Sequence, residues 1–168
     1  TRGTTFFFGI IDVLGHGPEA HAVAQVAVAF LKLNWSTDVA VTMEALHTEL
    51  QGTRGAAVGL CVLDSESGLV HYGAVGNTVF RLIGPNPHTL VSRAGIVGSR
   101  LPTTRTQDVT IDPYHVALLY TDGVSSRFNI DDYPHIIFDT SGTISRTVVE
   151  RFGRDSDDAS CLAFRYVR

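Results

Sequence analysis

The pattern of apolar and polar positions along the chain changes once, near residue 55. Residues 5–12 form a short apolar run rich in aromatic and β-branched side chains, which predicts a buried strand. Two glycines and a proline follow, and they favour the start of a helix over 18–33. Thr37 or Asp38 can cap a second helix that ends at Gly52. This part of the chain is therefore predicted to be one strand followed by two helices.

After residue 55 the chain consists of short apolar runs typical of strands, and turn residues separate these runs. The stretch 93–106 is predicted to be a loop, and a short helix is expected near 144–152. Grouped helices followed by antiparallel strands indicate an α+β layered domain. The predicted strands are 56–64, 69–75, 78–83, 88–92, 109–113, 115–121 and 159–167.

Size and composition limit the class of protein. A chain of 168 residues, 44% hydrophobic and 18% charged, fits one domain spanning 1–168 with a substantial core. Because the first residue is Thr1 rather than Met and leads almost directly into a strand, we expect the natural chain to extend further upstream. The net charge of −4, with no basic cluster, argues against nucleic acid as a partner. No apolar run is long enough to predict a membrane partner.

The two cysteines, Cys61 and Cys161, lie in apolar strand-like runs. Neither belongs to a CxxC or Cys/His pattern, so a zinc site is not predicted. Buried reduced thiols in a cytoplasmic protein are the expected state.

Acidic residues recur at the ends of predicted strands. Asp12 ends the strand 5–12, Asp122 follows the strand 115–121, and Asp157 and Asp158 stand just before the last strand. If these strand ends share one edge of the core, the carboxylates meet and repel one another. A divalent cation relieves that repulsion, and Mg²⁺ and Mn²⁺ prefer oxygen ligands. Taken singly, each Asp is more typical of a solvated turn; their joint occurrence predicts a metal site.

Five segments carry a resemblance to a known family: "IIDVLGHGPEA", "GAVGNTVFRL", "GIVG", "ALLYTDGVSSRF" and "DDASCLAFR". Together they resemble the bacterial branch of the PPM (protein phosphatase 2C-like) superfamily, in particular SpoIIE-like and RsbX-like serine/threonine phosphatases. The resemblance covers nearly the whole chain. It implies a four-layer α-β-β-α sandwich with two central antiparallel sheets, and two Mn²⁺ or Mg²⁺ ions at one end of them.

The resemblance also implies roles for individual residues. Asp12 matches the carboxylate that bridges both ions, while Asp122 and Asp157 match the second and third carboxylate ligands. Val13 occupies the position whose backbone carbonyl binds the second ion. Asp158 matches a position that is Asp or Asn in relatives and is expected to lie just outside the ligands. The implied catalytic residues are Asp12, Asp122 and Asp157.

The chain departs from the family pattern in three places. Val13 stands where relatives usually have Gly, and its branched side chain restricts the backbone. An acidic motif that relatives carry upstream of the bridging aspartate has no match here. Leu14 replaces a His found in eukaryotic relatives, and His16 follows two residues later, near the site or simply at the surface. In the loop after Asp122, Arg127 is a weak candidate for contact with phosphate.

The implied function is hydrolysis of phosphoserine or phosphothreonine on a regulatory protein. A hydroxide activated by the dinuclear Mn/Mg centre would attack the phosphoryl group in line. By analogy, the partner would be an anti-sigma antagonist or STAS-domain protein in a bacterial stress or sigma-factor partner-switching pathway. The alternative is a degenerate phosphatase fold that binds a partner without turnover, which the departures at and before Val13 motivate. A nucleotide-binding domain is not predicted, because no P-loop or GxGxxG follows a strand.

Overall fold

The computed structural model describes residues 1–125, 128, 133, 135–155 and 157–166. In this part of the chain it has three helices, eight strands and a 3₁₀ turn at Ile136–Phe138. In chain order the helices and strands are β1 (Thr5–Val13), α1 (Pro18–Asn34), α2 (Val39–Glu49), β2 (Ala56–Asp64), β3 (Leu69–Val75), β4 (Val79–Ile83), β5 (His88–Val91), β6 (Gln107–Thr110), β7 (Val116–Tyr120), α3 (Ser141–Phe152) and β8 (Cys161–Arg165).

The strands form two four-stranded sheets in which all neighbours are antiparallel. The first sheet has the order β1-β2-β3-β6 and the second has the order β5-β4-β7-β8. In the first sheet, Asp12 pairs with Ala57 and Val13 pairs with Ala56. These two pairs stand at the end of the sheet where β1 leads into α1.

Gly76 and Asn77 are residue types that in sequence indicate a hairpin turn between two paired strands, but they do not form one. β3 belongs to the first sheet and β4 to the second, so the chain crosses between the sheets at this point. Gly76 has a backbone φ of +101°, a conformation that glycine adopts without strain. Turn residues look the same in sequence whether the next strand pairs with the previous one or leaves its sheet.

The layers follow from the two faces of each sheet. α1 and α2 cover the outer face of the first sheet, where Leu31, Met43 and Leu46 pack against Val58 and Leu60. α3 covers the outer face of the second sheet through Ile144 and Val148. The inner faces of the sheets pack on each other, with residues such as Cys61, Tyr72, Phe80 and Leu119 between them. The predicted α-β-β-α sandwich with two antiparallel sheets is confirmed.

β2 is buried on both of its sides. Its first eight residues are all buried, because one side faces the helices and the other faces the second sheet. Gly59 lies on the inner side. A Cβ atom there would lie 2.8 Å from the hydroxyl oxygen of Thr78 and 3.1 Å from Cδ1 of Leu119. The absence of a side chain at Gly59 therefore lets the two sheets come close together at this position.

The helices begin where the sequence provides caps. Pro18 occupies the first turn of α1, and the Asp38 carboxylate accepts hydrogen bonds from the N–H groups of Ala40 and Val41 at the start of α2. A cap of this kind stabilises a helix by about 1 kcal/mol. Thr140 caps α3 in the same way through the N–H of Thr143. α3 therefore begins at Ser141, three residues before the predicted start.

Other predicted boundaries are also shifted, and the last strand is Cys161–Arg165 rather than 159–167. The second helix ends at Glu49 rather than Gly52, which has a left-handed φ of +78°. β6 spans Gln107–Thr110 rather than 109–113, because Ile111 instead donates its N–H to the carbonyl of Gly68. Among the described residues, no helix is both long and apolar enough to cross a membrane.

Candidate active site

The predicted site residues come from both sheets and lie at the same end of the sandwich. Asp12 is the penultimate residue of β1, in the first sheet. Asp122 follows the end of β7, and Asp157 lies shortly before β8; both strands are in the second sheet. The antiparallel pairing of β7 with β8 places the exit of one strand beside the entry of the other.

A cavity of about 500 Å³ opens at this end of the sandwich. We call it the acidic pocket, because five carboxylate side chains line it and no Lys or Arg is present among its described lining residues. Val13 also lines it. The carboxylates are Asp12, Asp122, Asp155, Asp157 and Asp158.

The charges in the acidic pocket are poorly compensated. Burial, and after it the negative charges of Asp122, Asp157 and Asp158, raise the pKa of Asp12 from 3.8 to about 6. A carboxyl group whose ionised form is disfavoured by burial and by like charges is stabilised by a cation placed among them. The electrostatics of the pocket therefore favour cation binding.

The loop containing Asp122 is fastened to the segment that precedes β8. The N–H of Thr121 donates to the carbonyl of Ser160 at 3.1 Å, and the Thr121 hydroxyl accepts from the N–H of Ser160 at 3.1 Å. Gly123 packs directly on the backbone of Asp158, leaving no room for a Cβ atom. These contacts keep the aspartates of the two segments near one another.

Val13 is held as an ordinary strand residue. Its backbone pairs with Ala56, and its side chain packs against the core beneath α1 and α2. Among the described non-glycine residues, only Asn86 has a positive φ. Val13 is therefore not in the left-handed conformation that would favour glycine, and its branched side chain fits the extended backbone found there.

The donor set of the pocket suits hard divalent cations. Within the described part of the chain, no three His, Cys, Asp or Glu side chains converge into a group that could hold one ion. Mg²⁺ is usually bound by one or two carboxylates and keeps several water ligands, so it does not require such a cage. Five carboxylates around one cavity suit ions that are bound by few carboxylates and several waters. Asp12 is repelled by three of the other four carboxylates.

Two lining residues with polar side chains were not considered as site residues. Asn77 lies on the wall of the acidic pocket because the chain crosses between the sheets there, and Asp155 reaches it from the loop after α3. A lone polar residue in a loop gives no signal in one sequence. His16 is exposed and also lines the pocket. Arg127 lies outside the described residues.

Comparison with known proteins identifies the fold and the family. Residues 2–167 match the model of the family described as Stage II sporulation protein E (SpoIIE). No curated protein matches the chain in sequence.

Several solved structures share the fold. A structure from work on the bacterial stressosome, described as a modular system adapted to control secondary messenger signalling, has a TM-score of 0.83 and 26% identity, over 95% of this chain and 84% of that chain. RsbX in complex with magnesium has a TM-score of 0.80 and 19% identity, over 97% and 81% of the two chains. SpoIIE from Bacillus subtilis, with its PP2C phosphatase domain and a fragment of its regulatory domain, has a TM-score of 0.68 and 14% identity, over 96% and 54%.

Proposed function

The chain belongs to the SpoIIE family of PPM-type phosphatases, and we propose that it hydrolyses phosphoserine or phosphothreonine on a regulatory protein with the help of two Mn²⁺ or Mg²⁺ ions. The fold and its phosphatase neighbours support a protein phosphatase. RsbX, which has the same fold, is in complex with magnesium.

One observation carries the proposal for this chain. Carboxylates from two different sheets line a single cavity, and Asp12 is so placed that burial and its acidic neighbours raise its pKa to about 6. Such an arrangement destabilises the fold unless cations are bound, so a purely structural role does not account for it.

Each residue has a defined part in the proposed reaction. Asp12 would bridge the two ions, Asp122 and Asp157 would provide the second and third carboxylate ligands, and the backbone carbonyl of Val13 would bind the second ion. When bound, the ions lower the pKa of a water molecule and offset the charge of the phosphoryl oxygens. The chain supplies rigid strand ends, which position the carboxylates before substrate arrives. Asp12, Asp122 and Asp157 are the proposed catalytic residues.

The test is hydrolysis of para-nitrophenyl phosphate with and without Mn²⁺ or Mg²⁺. We expect turnover that depends on the cation and falls by more than about 100-fold in Asp122→Asn. Asp108→Asn is the matched control, because Asp108 lies outside the acidic pocket and pairs with His71 in the strand pair β3–β6. Equal activity of wild type and Asp122→Asn, or turnover that chelator does not affect, contradicts the proposal.

The proposed substrate is a phosphorylated anti-sigma antagonist or STAS-domain protein of a stress or partner-switching pathway in the cytoplasm. The stressosome structure, whose chain is 26% identical to this one, supports a regulatory protein as the partner. The measurement is release of phosphate from such a phosphoprotein compared with a phosphotyrosine peptide, which we expect to remain intact.

A binding module without turnover is the alternative. It is favoured by the separation of the carboxylates, since no three of them gather around one point in the described residues. Calorimetric titration with Mn²⁺ distinguishes the two functions. A phosphatase is expected to bind two ions per chain, whereas a binding module is expected to bind one weakly or none.

A further inference from the structure

A second cavity of about 330 Å³ lies directly beside the acidic pocket. The two cavities share Leu14, Ala57 and Asn77 as lining residues. The rest of the second cavity is lined by Gly76 and by residues 94–96, which belong to the loop after β5. We call this cavity the apolar recess.

The recess differs from the acidic pocket in chemistry. None of its described lining residues is ionisable, and Asn77, on the side of the acidic pocket, is the one with a polar side chain. Leu14 is 39% exposed and Ile96 is half-buried, so apolar surface is open to solvent next to a highly charged site. Exposed apolar surface beside a reaction centre is typical of substrate binding.

Hydrogen bonds fix the loop that forms the outer wall. The N–H of Gly76 donates to the carbonyl of Arg93 at 2.8 Å, and the hydroxyl of Ser92 donates to the carbonyl of Gly76 at 2.6 Å. Further along, Val97 exchanges backbone hydrogen bonds of 2.9 and 3.0 Å with Ala56 at the start of β2. The wall is thus anchored to the first sheet on both sides of residues 94–96.

A glycine lets the loop of the outer wall pack tightly on its own following segment. A Cβ atom at Gly95 would lie 2.6 Å from Cδ of Pro102 and 2.7 Å from the carbonyl oxygen of Arg100. The loop can therefore fold this tightly only with glycine at this position. The recess is a shaped, preformed cavity, which lowers the entropy cost of binding a side chain in it.

We propose that the apolar recess binds the apolar side chain of a residue adjacent to the phosphorylated serine or threonine of the substrate protein. The inference rests on the proposed phosphatase function. Consecutive Cα atoms are about 3.8 Å apart, so a peptide whose phosphate enters the acidic pocket must place a neighbouring residue at its rim. The three shared lining residues make the recess continuous with that rim.

The recess favours an apolar neighbour for two reasons. A charged side chain would lose water there without gaining a partner, which is unfavourable. An acidic one would also be repelled by the aspartates of the adjoining pocket. An apolar side chain that fits such a subsite raises kcat/KM by about 10- to 200-fold over a substrate that lacks it.

The experiment compares phosphoserine peptides that differ only at the residues immediately before and after the phosphoserine, as Leu, Gly, Lys or Asp. A single phosphoserine with both of its ends blocked has no neighbouring residues, so its hydrolysis reports the reaction in the acidic pocket alone. We call it blocked phosphoserine. Wild type is expected to prefer Leu over Asp at one of the two positions by about tenfold or more.

Two variants test the recess itself. Ala94→Trp fills it with a bulky side chain from an exposed position, and Ile96→Lys replaces part of its apolar wall. Both are expected to abolish the preference for Leu and to leave turnover of blocked phosphoserine within about twofold. Ile96→Lys is also expected to favour the Asp peptide. Val91→Lys, which changes an exposed apolar residue of β5 outside the recess, is the control and should keep the preference.

The outcomes separate the two proposals. Cation-dependent turnover of blocked phosphoserine with no preference among the peptides overturns the subsite and leaves the phosphatase function standing. A preference for Leu that Ala94→Trp and Ile96→Lys both retain also overturns it. Failure to hydrolyse any of these esters contradicts the phosphatase function and, with it, the subsite.

Discussion

The guanidinium group of Arg54 donates a hydrogen bond of 3.1 Å to the carbonyl oxygen of Leu14, forty residues earlier in the chain. The same group pairs with the carboxylate of Glu19 in α1. Gly15 leaves the space that Arg54 occupies, since a Cβ atom there would clash with the guanidinium. One side chain thus holds both sides of the turn that follows Asp12 and Val13.

Arg54→Ala is expected to lower phosphatase activity by about tenfold and to raise the Mn²⁺ concentration needed for half-maximal activity. Partners that orient ligands from outside the site typically have effects of this size. Arg54→Lys should be intermediate, because an ammonium group cannot reproduce the two-sided contact of the guanidinium. The assay is the Mn²⁺ dependence of phosphate release. Arg105→Ala, at an exposed arginine before β6, serves as control; equal activity of both alanine variants contradicts the role of Arg54.

Asp12→Asn is expected to stabilise the protein in chelator at pH 7. The pKa of Asp12 is raised from 3.8 to about 6 in the folded state, so the folded chain binds more protons than the unfolded chain between these values. The contribution of Asp12 to the free energy of unfolding therefore falls as pH rises through this window. After allowance for solvent screening we expect a gain of about 1 kcal/mol, or roughly 2–4 °C in Tm.

Thermal unfolding at pH 4 and pH 7, with and without Mn²⁺, checks this prediction. At pH 4 the gain should largely vanish, because Asp12 is then mostly protonated in the folded wild type. With Mn²⁺ at pH 7 wild type should become the more stable protein. A variant that is less stable than wild type in chelator at pH 7 would contradict the charge repulsion inferred in the acidic pocket.

Val13→Gly is expected to destabilise the protein by about 2 kcal/mol, since it removes a packed side chain and introduces glycine into a strand. The backbone at Val13 is already an extended strand conformation, so glycine relieves no strain. Affinity for Mn²⁺ should therefore not increase. Denaturant unfolding and calorimetric Mn²⁺ titration measure the two quantities; tighter binding of the second ion in Val13→Gly would show that the valine weakens that site.

Gly123→Ala is expected to reduce both stability and activity. The added methyl group meets backbone atoms of Asp158 and Ala159, which cannot move aside as a side chain could. Overpacking of this kind costs about 1–3 kcal/mol, and displacement of Asp122 by about 1 Å can reduce activity 100-fold. Gly142→Ala in α3 is the matched control, because nothing lies within 4 Å of its added methyl group. It should be neutral or stabilising by up to about 1 kcal/mol.

The thiols are expected to be unreactive in the folded protein. Burial raises the pKa of Cys161 to about 12 and holds the pKa of Cys61 well above its usual value, so neither forms thiolate near neutral pH. Ellman's reagent at pH 8 should react slowly with the native protein. In denaturant it should react with two thiols per chain. Rapid reaction of one thiol in the native protein would contradict the burial of Cys61 or the partial burial of Cys161.

Much of the fold is predictable because glycine, proline and capping residues mark where elements begin and end. Asp38 and Pro18 act where the sequence predicts. The crossing at Gly76 is not predictable in this way, because a local turn signal does not state which sheet the next strand joins. The strand-end aspartates were predicted from their shared context, whereas Asn77 and Asp155 reach the pocket only through tertiary packing.

The geometry of the acidic pocket also depends on Gly59, which is not an acidic residue. It stands two positions from Ala57, the partner of Asp12 in β1, and it faces Thr78 and Leu119 across the gap between the sheets. A methyl group here would act as a spacer between the sheet that contains Asp12 and the sheet that leads to Asp122. The distance between the carboxylates of the two sheets therefore depends on the absence of a side chain at Gly59, a residue that takes no part in the reaction itself.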